Sequence, residues 1–169
     1  MAGPFELYLI RHGLAEERGE AWPDDSKRPL TEEGIRRLRK AARSLIRLDV
    51  VFDIMLSSPL VRARQTAEAI AAELDPRPPI VHTDALAPDG SYAALLIELE
   101  KHARKSSIAL VGHEPAIGEL AARLVGSRHA IEFKKGAIAR IDLEEMPPSG
   151  PGDLRWLLTP KILRALKKK

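Results

Sequence analysis

The sequence predicts an α/β fold in which a largely parallel sheet is covered by helices, and three observations carry that expectation. Short apolar runs at Leu7–Ile10, Val50–Leu56 and Ile108–Val111 each stop abruptly at polar residues or glycine, as strands buried on both faces do. Between them lie longer stretches whose apolar residues recur at helical spacing. The polar ends of the runs carry Arg11-His12-Gly13, Ser57-Ser58-Pro59 and Gly112-His113, and the carboxyl ends of strands are where open α/β sheets bind ligands.

In chain order, the first strand gives way to a charged, irregular loop, Leu14 to Lys27, able to form one wall of a site. Thr31 is placed to cap a helix whose first turn holds Glu32 and Glu33, favoured at the positive end of the dipole. Its buried stripe is Ile35, Leu38, Ala42, Leu45 and Ile46, with arginines and a lysine on the other faces. A second strand over Val50–Leu56, interrupted by Asp53, leads to a helix from Leu60 to about Leu74, with Pro59 suited to its first turn. The proline-rich connector Asp75–Pro79 precedes a short strand at Ile80–His82 and a loop from Thr83 to Gly90 carrying Asp84 and Asp89. Ser91 caps a helix running to about Arg104, with Leu95, Leu96 and Leu99 inward and His102 exposed in its last turn. After the strand ending at His113, Glu114-Pro115 starts a helix through Leu124. Ala137–Leu143 and Leu154–Leu158 read as two further strands, antiparallel because a short turn rich in proline and glycine joins them. An amphipathic piece, Lys161 to Lys169, closes the chain.

The totals narrow the function. With 169 residues, 44% hydrophobic and 30% charged, the chain reads as one domain, residues 1–169, with residues 160–169 as a short basic tail. No apolar stretch approaches the roughly 20 residues of a spanning helix, and there is neither a signal-like amino terminus nor a cysteine, so no membrane and a cytoplasmic location are expected. A net charge of +3, from 27 basic and 24 acidic residues, is too small and too spread to indicate nucleic acid, and 4% aromatics leave little for base stacking.

Taken singly, Arg11 and Arg62 could be surface charges and His12 a turn histidine. A parallel sheet, however, brings Arg11, His12, Arg62 and His113 to one edge. Two guanidiniums and two imidazoles there suit a dianion such as a phosphoryl group. The guanidiniums would also hold a histidine neutral and thus able to attack phosphorus, with no metal or cofactor invoked.

These residues carry a family resemblance: Arg11-His12-Gly13, then Ser58-Pro59-Leu60-Val61-Arg62-Ala63-Arg64-Gln65-Thr66, then Gly112-His113-Glu114-Pro115. In that order they resemble the histidine phosphatase superfamily. Arg28-Pro29-Leu30-Thr31 with Gly34, and the His-x-Pro at His113, resemble its small SixA-type phosphohistidine phosphatase branch. The resemblance implies a three-layer α/β/α sandwich of the phosphoglycerate mutase-like kind, with a mostly parallel six-stranded sheet. It implies His12 as the nucleophile, forming a covalent phosphohistidine that water cleaves. Arg11, Arg62 and His113 would hold the non-bridging oxygens, joined by the backbone N–H of Glu114 and by Ser58 as a lesser contact.

Two positions depart from the pattern. The Asn that many relatives carry beyond Arg-His-Gly is replaced by the stretch Leu14-Ala15-Glu16-Glu17-Arg18. Ala85 stands where SixA-type proteins tend to carry the proton-donating acid; Asp84 is the expected substitute, ahead of Asp89, the alternative being that neither serves and a strong general acid is lacking, which would disfavour alkyl phosphate esters more than a labile N–P bond. The substrate implied is phosphohistidine on a protein partner such as a histidine-phosphotransfer domain, because the connector from Leu74 to Ser91 is too short for the capping insertion of mutases. The alternatives are a phosphatase for small phosphorylated metabolites and a catalytically degenerate phosphate-binding module.

Overall fold

The computed structural model describes residues 4–166, so Lys167, Lys168 and Lys169 of the expected basic tail lie outside the described residues. The first strand, β1 (Phe5–Arg11), has Leu7, Tyr8, Leu9 and Ile10 all fully buried. Because side chains alternate along a strand, Tyr8 and Ile10 join one apolar cluster while Leu7 and Leu9 join another on the opposite face. Both faces of the sheet are therefore covered.

The remaining elements follow in order: α1 (Glu32–Arg47), β2 (Ile54–Ser57), α2 (Val61–Ala71), β3 (Ile80–His82), α3 (Tyr92–Glu100), β4 (Ser107–Gly112), α4 (Ala116–Val125), β5 (Ile138–Leu143), β6 (Asp153–Leu158) and α5 (Pro160–Ala165). One six-stranded sheet has the order β3-β2-β4-β1-β5-β6. The first four strands of that order are mutually parallel. The pairs β1·β5 and β5·β6 are antiparallel. Tyr8, Leu38, Ala42, Leu45, Ile70 and Leu163 pack on one face, which α1, α2 and α5 cover; Leu95, Leu99, Ile117 and Leu124, from α3 and α4, pack on the other. This is the expected α/β/α sandwich with a mostly parallel sheet. No helix among the described residues is long and apolar enough to cross a membrane.

Local chemistry explains where elements begin and end. The Thr31 hydroxyl accepts from Gly34 N, Ser91 caps α3 through Ala94 N, and Thr159 caps α5 through Ile162 N. The second strand starts later than its apolar run. The Asp53 carboxylate accepts from Ser106 N and Ser107 N at 3.0 Å each, which fixes the approach to β2 outside the ladder and leaves Val51 exposed. Leu60 is extended (ψ 140°), so α2 starts at Val61 and Pro59 precedes the helix instead of entering its first turn. Helix α2 closes at Ala71 and α3 at Glu100: Glu73 N and Leu74 N after the first, and Lys101 N and His102 N after the second, turn back to carbonyls three residues earlier, the tightening common at helix ends. Likewise Pro115 caps α4, which starts at Ala116 rather than at Glu114. In α1 the buried stripe takes Ala41 and leaves Ile46 half exposed. Leu96 is only partly buried, and His102 is mostly covered rather than exposed, 3.5 Å from Glu98.

Candidate active site

The carboxyl ends of β1, β2 and β4 bring the expected residues together. Arg11 ends β1 and His12 follows it; Arg62 stands in the first turn of α2 after β2; His113 follows β4. The backbone at His12 is held from both neighbouring strands. His12 N donates to Gly112 O at 3.0 Å, Arg11 N donates to Ala137 O at 3.1 Å, and Gly136 N is shared between Arg11 O and His12 O at 3.1 and 3.0 Å. Gly136 reaches that position with φ +79°, a left-handed conformation that glycine adopts without steric cost. The same loop supplies Phe133 O, which accepts from Arg11 Nη1 at 2.8 Å.

His12 is 6% exposed and its Nδ1 lies 2.8 Å from Gly13 O. A carbonyl only accepts, so Nδ1 carries the proton and the neutral ring keeps its lone pair on Nε2. The His113 ring lies 5.2 Å away, centroid to centroid. His113 Nε2 is 2.8 Å from Ser58 Oγ, which already accepts from Leu60 N at 3.3 Å. A hydroxyl hydrogen directed at His113 Nε2 would place the His113 proton on Nδ1. Ser58 therefore orients His113.

Arg62, 3% exposed, is held at its far end by Asp25, whose carbonyl accepts from Nη1 at 2.9 Å and whose carboxylate accepts from Nη2 at 3.0 Å. Two residues of the Arg62 motif act on the backbone. Thr66 Oγ1 accepts from Gly13 N at 3.1 Å and donates to Arg62 O at 2.7 Å, tying α2 to the turn after His12. Gln65 Oε1 accepts from Leu30 N at 2.7 Å. Arg28, 7% exposed, donates through Nε to Asp25 Oδ1 at 2.9 Å and through Nη1 to Glu16 O at 2.8 Å. Asp25, Gln65 and Thr66 were not singled out by charge or spacing; the quoted motifs around Arg28 and Arg62 were the available signal.

Three buried nitrogens in this cluster lack a protein partner: Arg11 Nε, Arg62 Nε and His113 Nδ1. Buried donors are normally paired, so three in one cationic pocket mark a place built for an anion. Burial pushes His12 down to about 3, reinforced by His113, Arg62 and Arg11, and opposed by the bond to Gly13. Burial followed by the charge of Arg62 pushes His113 down to about 4. Both imidazoles are thus neutral at pH 7. Asp25 is held below the usual carboxylate range by its bond to Arg28 first, with Arg62 adding to it.

Beyond His113 opens a cavity of about 260 Å³, whose lining includes Ala85, Tyr92, Leu95, His113, Ile117 and Leu120. Arg123 stacks over the Tyr92 ring at 3.8 Å. Ala85 faces this cavity, whereas Asp84 and Asp89 are exposed and do not line it; Glu119, on α4, is the carboxylate that does. The Glu114 carboxylate turns back to accept from Gly118 N at 2.8 Å, and burial raises its affinity for a proton.

A three-layer sandwich with a buried neutral imidazole inside a cationic pocket at the strand ends defines a phosphate-handling α/β enzyme. The model of the histidine phosphatase superfamily (branch 1) matches residues 7–87. An uncharacterized protein of Picosynechococcus is 42% identical over 138 residues, covering 79% of this chain and 82% of the relative. Phosphohistidine phosphatase SixA of Escherichia coli is 29% identical over 164 residues, covering 96% and 98%. The solved structure of the protein histidine phosphatase SixA complexed with tungstate superposes with a TM-score of 0.82 at 29% identity, over 92% of this chain and 97% of that one. The chain belongs to the histidine phosphatase superfamily and is a phosphatase.

Proposed function

We propose that this chain, acting as a single domain, removes the phosphoryl group from phosphohistidine on a protein partner through a covalent intermediate on His12. The observation that carries the reading is the His12 Nδ1 bond to Gly13 O, which presents an unprotonated Nε2 in a pocket where Arg11 Nε, Arg62 Nε and His113 Nδ1 have no protein partner. In the first step His12 Nε2 bonds to phosphorus as the bond to the substrate nitrogen breaks, and that nitrogen keeps the electron pair. Arg11, Arg62, the Nδ1–H of His113 and the backbone N–H of Glu114 hold the non-bridging oxygens while charge spreads over them. Water then attacks phosphorus, releasing phosphate and returning the electron pair to His12.

The leaving-group side favours an N–P over an alkyl O–P bond. Ala85 occupies the cavity wall where a proton donor is expected, and the expected substitute Asp84 is solvent-exposed outside the lining. An alkoxide leaves poorly without an acid, whereas the imidazole of a phosphohistidine is a much better leaving group. The likeness to SixA supports the same substrate class. The test compares turnover of a phosphorylated histidine-phosphotransfer domain with that of sugar phosphates, alongside acid-quench trapping of labelled phosphoryl group. Faster turnover of the domain and label lost in His12→Ala are expected. Preference for sugar phosphates would instead assign the small-metabolite reading, and absence of label on the wild type a binding module.

A further inference from the structure

We infer that Asp25 is a positioning residue for phosphate capture: a fixed carboxylate and carbonyl that hold the far end of Arg62 so that its Nε edge stays turned to the site. The inference rests on the proposed role of Arg62 in holding phosphate. A guanidinium presents five N–H donors in one rigid plane. In Arg62 the two terminal nitrogens both bond to Asp25, one to the carbonyl and one to Oδ2, while Nε is buried and unpaired. One residue therefore fixes both the position and the plane of the group, and leaves the other edge for ligand oxygens.

Asp25 is itself held. Its second carboxylate oxygen accepts from Arg28 Nε, and Arg28 is anchored in turn on Glu16 O. Residues Asp25–Lys27 form a 3-10 turn capped by Asp24 through Ser26 N. The loop is closed behind by the Ala15–Leu30 bridge, by Glu16 N to Pro29 O at 2.9 Å, and by Leu30 N to Gln65 of α2 at 2.7 Å. Arg18 approaches the same carboxylate at 3.8 Å from an exposed position. The chain Glu16–Arg28–Asp25–Arg62 thus runs from the loop wall to the phosphate pocket, which gives the Arg28-Pro29-Leu30-Thr31 motif a task that packing alone does not. Because Asp25 sits between two arginines and stays ionised, it is a holder and not a proton donor.

A competing role would have the opposite sign. A carboxylate on Arg62 that merely substituted for phosphate would, once removed, tighten anion binding. The experiment is calorimetric titration of the full chain with inorganic phosphate, for the wild type, Asp25→Ala and Asp25→Asn, with unfolding midpoints measured in parallel. Asp25 is about half exposed, so both variants are expected to fold. Alanine keeps the backbone carbonyl but loses the carboxylate contacts to Arg62 and Arg28, and should weaken phosphate binding about tenfold, because Arg62 regains rotamer freedom and its plane is no longer fixed from two points. Asparagine keeps an acceptor oxygen and the carbonyl, and should stay within about threefold of wild type. In turnover, Asp25→Ala should raise KM more than it lowers kcat. Equal or tighter phosphate binding by Asp25→Ala overturns the inference, as does an asparagine variant as weak as the alanine one. If the wild type binds phosphate in this order but does not hydrolyse phosphohistidine, the proposed substrate fails while the positioning role stands.

Discussion

Holding two histidines neutral inside the pocket makes the protein acid-sensitive in a specific way. His12 is pushed down to about 3 and His113 to about 4, against an ordinary value near 6.5 in the unfolded chain. Below pH 6.5 the unfolded state takes up protons that the folded state refuses. Stability therefore rises with pH across this window, is complete above about 6.5, and is lost as pH falls toward the folded values. At pH 5 the loss is about 2 kcal/mol for each histidine, and up to about 4 kcal/mol for the pair, a large share of the roughly 5–15 kcal/mol of a typical domain. Urea unfolding at pH 8 and pH 5 should show the wild type losing up to about 4 kcal/mol more than a His12→Gln/His113→Gln double variant, with each single variant in between. Equal losses in the wild type and the double variant would mean that the imidazoles are not held neutral, and would remove the basis for His12 as a nucleophile at neutral pH.

Three other outcomes follow from the same geometry. Ser58→Ala removes the partner of His113 Nε2 and should lower kcat/KM about tenfold, the worth of one buried hydrogen bond, with imidazole 15N shifts showing a mixture of His113 tautomers. Gly34 lies where an added Cβ would meet the carbonyl of Leu14, so Gly34→Ala should cost about 1–3 kcal/mol in chemical unfolding by prising α1 from the loop wall. Ala85→Glu adds a carboxylate at the loop side of the cavity beside His113, where Glu119 lines it from α4, and should raise kcat/KM for alkyl phosphomonoesters by about 10²-fold or more, while phosphohistidine turnover changes little.

The strands and helices were legible because both faces of the sheet are buried: runs such as Leu7–Ile10 and Ile108–Val111 have no polar interruption, and each run ends in an abrupt change to polar residues or glycine. The site was legible for the same reason, since Arg11, His12, Arg62 and His113 all stand at those ends. Element boundaries were harder to read where a side chain overrides local preference. Asp53 spends its carboxylate on the Ser106 and Ser107 amides, and no local pattern around Val50–Leu56 announces a partner 53 residues away. Asp25 was hidden for a related reason. In sequence it is one acid in a charged loop, and its importance comes from Arg28 and Arg62, which reach it from different directions. Ser58 stood in a recognisable motif, yet its service to His113 depends on β2 lying beside β4.

The amides and carbonyls around His12 have one further consequence. Gly112 accepts from one side, Gly136 donates from the other, and Thr66 takes the Gly13 amide from above. Three separate segments, distant in sequence, are thus stitched to four consecutive backbone groups. The proposed nucleophile is thereby held from three segments, whereas the cavity wall from Thr83 to Ser91 is tied mainly by bonds within itself, with Thr83 N to Ser57 O at 2.9 Å as its backbone link to β2. Divergence among such chains can then proceed asymmetrically: the connector from Thr83 to Ser91 is free to retune which phosphorylated group is accepted, and the mounting of the imidazole is not disturbed by the change.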